Sequence, residues 1–108
     1  MTFQELIHAV KQLSFEEMRS ESESALEFVI RFEKLPELNQ TLTLFFGPPA
    51  KAAGVRPRGE EDALTSNFGG ILKNQTLYAI ANNSTSHIAM IWPWSDGDRA
   101  TVKIFKVG

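Results

Sequence analysis

Three basic side chains occur close together in a stretch of this sequence that is rich in proline and glycine. Lys51, Arg56 and Arg58 lie within residues 47–59. Such cations bind phosphate or carboxylate groups through charge-assisted hydrogen bonds, and prolines reduce the conformational entropy that a loop loses when it binds. Residues 47–59 are therefore a candidate anion-binding loop. The competing interpretation is an ordinary solvated basic surface.

A second candidate is the corner that contains both tryptophans of the chain. Trp92 and Trp94 flank Pro93, and Arg99 follows. Large aromatic rings are enriched where proteins bind partners, although both rings can instead belong to the core. If the loop meets this corner, cations border an aromatic ring, which suits a planar or phosphorylated anion. The predicted ligand-binding residues are then Lys51, Arg56, Arg58, Trp92, Trp94 and Arg99.

Patterns typical of catalysis and metal binding are sparse. The sequence has no nucleophile elbow, P-loop, dinucleotide fingerprint or zinc-protease helix motif. It has no cysteine, which excludes disulfides and thiolate chemistry. Asp96 and Asp98 are spaced as in a hairpin turn rather than a calcium loop, and His8 and His87 are isolated. We predict no catalytic residue, no metal site and no cofactor.

The paired glycines Gly69 and Gly70 are a weaker candidate. Consecutive glycines let backbone N–H groups converge on an anion. A glycine pair more commonly forms a sharp turn, so both interpretations stay open.

Composition limits the class of protein. The 108 residues are 43% hydrophobic and 22% charged, as expected for one α+β domain over residues 1–108. The first residues lack signal-peptide features, and no apolar run is long enough to cross a bilayer. These features predict a cytoplasmic protein that does not bind membranes. The net charge of −2 makes nucleic acid an improbable partner, and single-strand binding on aromatic rings would need more basic residues.

Helices are predicted where apolar residues recur at steps of three and four. Residues 2–13 show this spacing, and Thr2 with Glu5 forms a capping-box pattern. A second helix is predicted over 36–46, because Gly47 and the prolines after it end the pattern. Residues 14–24 are predicted to form a short turn and an exposed connection.

Strands are predicted where apolar residues alternate. One is expected at 25–33, and three more at 75–81, 87–92 and 100–107, joined by polar turns. The predicted fold is an α+β, four-stranded, mostly antiparallel sheet with a C-terminal meander over 75–107. Two or three helices are predicted to pack on one face of this sheet.

Apolar residues are expected on the sheet face away from the helices as well. The alternation predicts Tyr78, Ile80, Ile91 and Phe105 on that face. Either residues 1–20 cover it, or it is an interface of the kind that large apolar patches mark. We predict a homodimer that uses these four residues.

The leading hypothesis is a small binding or protein-interaction module without intrinsic catalysis, whose partner is itself, another protein or an anionic small molecule. The alternative is a small enzyme that acts on an anionic metabolite. Its binding cations would be those of the loop together with Arg99, and Asp96 or Asp98 would act as acid or base. The sequence predicts neither the biological process nor the ligand.

Overall fold

The fold combines three α-helices with five strands in a computed structural model that describes residues 1–82 and 84–107. The α+β class and the antiparallel sheet predicted from the sequence are confirmed. None of the described helices is long and apolar enough to cross a bilayer. The elements are α1 (Phe3–Lys11), β1 (Glu17–Glu21), β2 (Ala25–Arg31), α2 (Leu35–Phe46), α3 (Gly59–Thr65), β3 (Thr76–Asn82), β4 (Thr85–Pro93) and β5 (Arg99–Val107).

The strands form one sheet in the order β1-β2-β5-β4-β3, and every neighbouring pair is antiparallel. Strand β5 is central and joins the β1–β2 hairpin to the β3–β4 hairpin. The meander predicted over 75–107 is therefore present. The turn predicted between β3 and β4 includes Asn83, which lies outside the described residues.

The sheet has five strands rather than the predicted four. The additional strand, β1, occupies part of the stretch that was predicted to be a turn and an exposed connection. It lies at the edge of the sheet, is mostly exposed, and has a register irregularity between Met18 and Ser20. An exposed edge strand has no need for alternating apolar residues, so its sequence lacks the two-residue period that indicates a strand.

Helices α1 and α2 cover one face of the sheet, here called the helix face. The predicted capping box of α1 is present, with Thr2 Oγ1 accepting from Glu5 N at 3.1 Å and Glu5 Oε1 accepting from Thr2 N at 2.8 Å. Burial of apolar area drives this packing. The main core contains Phe3, Leu6 and Val10 of α1, Leu38, Leu42 and Phe46 of α2, and Leu26, Phe28, Ile30, Val102 and Ile104 of the sheet.

The opposite face of the sheet, here called the second face, is also partly covered. The predicted arrangement placed every helix on one face, but the segment after α3 lies on the other. Phe68 and Ile71 pack there over Leu77, Met90 and Phe105 in a smaller core. Strand β4 is apolar on both sides, so both faces need a cover to remove apolar area from water.

The four residues predicted as an interface do not share one face. Tyr78, Ile80 and Ile91 are on the helix face, and Tyr78 and Ile91 are buried in its core. Phe105 is on the second face, where the ring of Phe68 lies 4.3 Å from its own ring, centroid to centroid. The prediction placed the alternation of β3 and β4 on the wrong face, whereas Phe105 of β5 is on the predicted face, away from α1 and α2. Ile80 alone remains exposed.

Candidate functional site

Lys51 of the predicted anion-binding loop is engaged inside the protein. The residue is only 2% exposed. Its Nζ donates hydrogen bonds to the backbone carbonyl oxygens of Ala52 at 3.0 Å, Lys73 at 2.9 Å, and Gln75. Burial lowers the pKa of Lys51, and attraction to the Glu61 carboxylate opposes that shift. An ammonium with three internal acceptors anchors the loop and has little capacity left for a ligand.

Arg58 is also paired within the chain. Its Nε and Nη2 donate to Glu61 Oε2 at 2.9 and 2.7 Å, and its backbone N donates to Glu61 Oε1 at 2.8 Å. These hydrogen bonds lower the pKa of Glu61, and Glu60 Oε1 lies 2.9 Å from Arg58 Nη2. Arg56 is exposed and makes no ion pair or side-chain hydrogen bond with any described residue. Among the described residues, Arg56 is therefore the loop cation whose charge is unpaired.

Trp94 folds back over β5 and lies close to two arginines. Its Nε1 donates to Thr101 Oγ1 at 2.8 Å. The guanidinium carbons of Arg19 and Arg99 are 5.6 and 5.5 Å from the ring centroid, within the range of cation–π attraction. The ring therefore covers part of the second face. Arg19, which contacts the ring, belongs to the edge strand β1.

Carboxylates neutralise the arginines at this corner. Glu16 Oε1 accepts from Arg31 Nη1 at 2.8 Å, and Glu16 Oε2 lies 3.3 Å from Arg99 Nε, without hydrogen-bond geometry. Asp98 Oδ2 accepts from Arg31 Nη2 at 2.7 Å. Asp96 Oδ1 accepts from the backbone N–H groups of Asp98 and Arg99, as a turn residue does. The two aspartates proposed as acid or base therefore have structural contacts.

Trp92 lies on the second face under the paired glycines. A Cβ added to Gly69 would lie 2.5 Å from Trp92 Cη2, so this close contact requires glycine. The Gly70 N–H donates to the Thr65 carbonyl oxygen at 2.9 Å, which leaves it unavailable to an anion. The Trp92 indole N–H is buried and has no partner among the described residues. The glycine pair here serves packing and chain reversal.

The structure does not bring the predicted loop and corner together. Lys51 forms a β-bridge with Leu77 on β3, the outermost strand on one side. Trp94 and Arg99 contact residues near β1 and β2, toward the other side. In the described part of the chain, no ion pair or side-chain hydrogen bond joins the two sets. The predicted composite site is two separate regions.

A groove that the sequence did not indicate lies on the second face. It has a volume of about 500 Å³ and runs between the β1–β2 hairpin and residues 67–69. Strands β2 and β5 form its floor. The lining residues are Ser20, Ser24, Ala25, Leu26, Glu27, Asn67, Phe68, Gly69, Lys103, Phe105 and Lys106.

Lys103 is the central charged group of this groove. Its Nζ lies 4.1 Å from the centroid of the Trp92 ring, 3.9 Å from Glu27 Oε1 and 3.5 Å from the Phe68 carbonyl oxygen. The ring and the carbonyl hold the ammonium in place, whereas 3.9 Å is a loose ion pair. The sequence signal was a lysine within an apolar strand, but its neighbours across the sheet could not be inferred from spacing.

Comparisons with known proteins identify no relative. No family model matches the chain, and neither the curated proteins nor the solved structures contain a match. Within residues 1–82 and 84–107, no cluster of three or more histidine or carboxylate side chains is arranged to hold a metal ion. The groove on the second face combines apolar residues with the Lys103 ammonium and the Glu27 carboxylate.

Proposed function

We propose that this protein is a non-catalytic binding module and that its ligand site is the groove on the second face. The ligand class is a small molecule or a protein side chain that combines an apolar group with a negative charge. The observation that carries the proposal is the position of Lys103 beside an apolar floor.

The apolar part of the site comes from Ala25, Phe68 and Phe105. Ligand sites are typically concave and mostly apolar, with a few polar groups that orient the ligand. A volume of about 500 Å³ falls in the range of small-molecule sites. A flat or aliphatic group on this floor would leave water and pack against aromatic rings.

The charged part of the site comes from Lys103, against the single carboxylate Glu27. Lys106 also lines the groove, but it pairs with His87 and therefore directs its side chain to the helix face. The Lys103 side chain is held by Trp92 and the Phe68 carbonyl, so little side-chain entropy is lost when an anion binds. Its ion pair with Glu27 is long enough for a ligand anion to approach the same ammonium.

The enzyme hypothesis is less well supported. It required the loop cations and Arg99 to bind an anionic metabolite beside Asp96 or Asp98. Lys51 and Arg58 have internal partners, and both aspartates are engaged in the turn or in an ion pair. The observations favour a module over an enzyme.

The test uses 8-anilinonaphthalene-1-sulfonate, a fluorescent probe that joins apolar rings to an anion. We expect saturable binding of one probe per chain with a rise in emission. Ala25→Phe fills the floor and should abolish binding. Lys103→Gln removes one charge-assisted contact and should weaken binding roughly tenfold.

Lys73→Gln is the matched control, because Lys73 lines a different groove. It should bind the probe as the parent does. Far-ultraviolet circular dichroism and urea unfolding establish that each variant is folded. The proposal fails if the parent shows no saturable one-to-one binding, or if folded Ala25→Phe and Lys103→Gln both bind like the parent.

A further inference from the structure

The two edges of the sheet differ in how they are protected. Strand β1 carries Glu17, Arg19 and Glu21 and has a register irregularity, features that discourage strands of other molecules from pairing with an edge. Strand β3, Thr76–Asn82, has no charged residue and no proline. Lys51 covers this edge at Leu77, but from Ala79 to Ala81 the β3 edge lacks the usual protection.

The backbone of β3 also offers free hydrogen-bonding groups. The N–H and C=O groups of Leu77 bond to Lys51 at 2.9 and 3.2 Å, so they point away from β4. Backbone direction alternates along an antiparallel strand, so Ala79 and Ala81 point the same way. Among the described residues, neither has a backbone partner on that side.

The flank of α2 beside this edge is uncharged as well. Tyr78 OH donates to Asn39 Oδ1 at 2.7 Å, which fixes this side of α2 over β3. Leu44 is 73% exposed and Ile80 is 40% exposed. A shallow groove on this side of α2 is lined by Pro36, Asn39, Gln40, Thr43 and Leu44.

We propose that β3 pairs antiparallel with β3 of a second copy of this chain, so that the two five-stranded sheets join across a two-fold axis. A strand that meets its own two-fold copy is antiparallel to it, which satisfies the outward groups of Ala79 and Ala81 on both copies. The contact surface is the same patch on each copy.

The absence of charge favours a second copy as the occupant. In a two-fold contact a charged patch meets its own charge and repels it, whereas the side chains named here along β3 and α2 are neutral. Backbone pairing alone buries little area, and a stable interface needs about 1,000 Å² or more. Leu44 and Ile80 supply apolar area beside the strand. This surface is separate from the groove on the second face.

Sedimentation equilibrium of the full chain tests the proposal. We expect the parent at micromolar concentration to have about twice the chain mass of 12.1 kDa. Ala79→Pro removes an outward N–H and leaves the bonds to β4 intact, so it should be monomeric. Ala81→Lys adds a charge at the same edge and should also be monomeric. Ser20→Lys adds that charge at the β1 edge and should remain dimeric.

A monomeric parent would overturn the proposal. Binding of an extended peptide from another protein at this edge would not rescue it, because the proposed partner is a second copy of the chain. It would also be overturned if folded Ala79→Pro and Ala81→Lys both remained dimeric. If circular dichroism shows that Ala79→Pro is unfolded, Ala81→Lys decides the outcome alone. Probe binding in the groove should be the same in the monomeric variants, which separates this result from the proposed function.

Discussion

The two layers that cover the sheet are stabilised in different ways. On the helix face, Leu6, Leu38 and Leu42 are fully buried in one large apolar core. On the second face, residues 51–71 contribute few apolar side chains and depend on buried polar anchors such as Lys51 and Glu61. Apolar packing spreads its stabilisation over many contacts, whereas an anchor concentrates it in a few hydrogen bonds.

This difference explains where the groove on the second face lies. The apolar layer must cover its face continuously, because any gap exposes core to water. The anchored layer is held at particular points and leaves the floor beside Ala25 and Phe105 open. The layer with polar anchors is therefore the one that borders the groove.

The largest expected effect is on the anchored layer. Lys51→Met removes three hydrogen bonds from a charged donor and leaves three carbonyls without it. We expect a loss of about 2–4 kcal/mol in the free energy of unfolding, measured with urea. Hydrogen exchange should accelerate most at the Gly70 amide, which belongs to this layer.

The matched control for that change is Lys73→Met, because Lys73 is an exposed lysine of the same region. It should alter stability by less than about 0.5 kcal/mol. A Lys51→Met protein as stable as the parent would show that the anchors are not what holds the second layer, and the contrast between layers would be lost.

The next effect concerns the contact between the paired glycines and Trp92. Gly69→Ala places a methyl group on the indole and forces a positive φ of 103° on alanine, so we expect a cost of about 2 kcal/mol. Gly70→Ala has the same backbone strain at φ 80° but open space around it, and should cost about 1 kcal/mol. Urea unfolding gives both values. Equal costs would mean that Trp92 moves aside freely.

The smallest expected effect is a pH dependence of stability that originates in the helix layer. Burial and the neighbouring Lys106 lower the pKa of His87, whose ring contacts Phe3 and Phe45 of the helix layer. The unfolded chain then binds the proton more readily, with a pKa of about 6.5. Stability should therefore fall as pH drops below about 6.5, until pH passes the lowered folded pKa.

Thermal unfolding between about pH 7.5 and 5.5 measures this decrease, in a range where most carboxylates stay ionised. His87→Phe should flatten the profile, and His8→Gln should leave it as in the parent. A profile that stays sloped in His87→Phe would assign the dependence to another group.

Local pattern predicts helices α1 and α2 and strands β2 to β5, but not the edge strand β1 or the contacts that hold the second layer. The spacing of Leu38, Leu42 and Phe46 and the position of Gly47 predicted α2 to within one residue. Strand β1 was missed because an exposed edge strand has no apolar period. Lys51 was predicted to bind a ligand. Its true acceptors, the carbonyl oxygens of Lys73 and Gln75, are 22 and 24 residues away, so no local pattern indicates them. Contacts of that range depend on the finished fold.

The central position of β5 governs the order in which the chain can assemble. The β1–β2 hairpin and the β3–β4–β5 meander each form from neighbouring residues, but β2 pairs with β5, and Phe28 meets Val102 across most of the sequence. Closing such a long loop is entropically costly, and folds rich in distant pairings fold slowly. We therefore expect β2–β5 pairing to limit the folding rate. Until it forms, the hairpin and the meander expose apolar faces that the closed sheet buries.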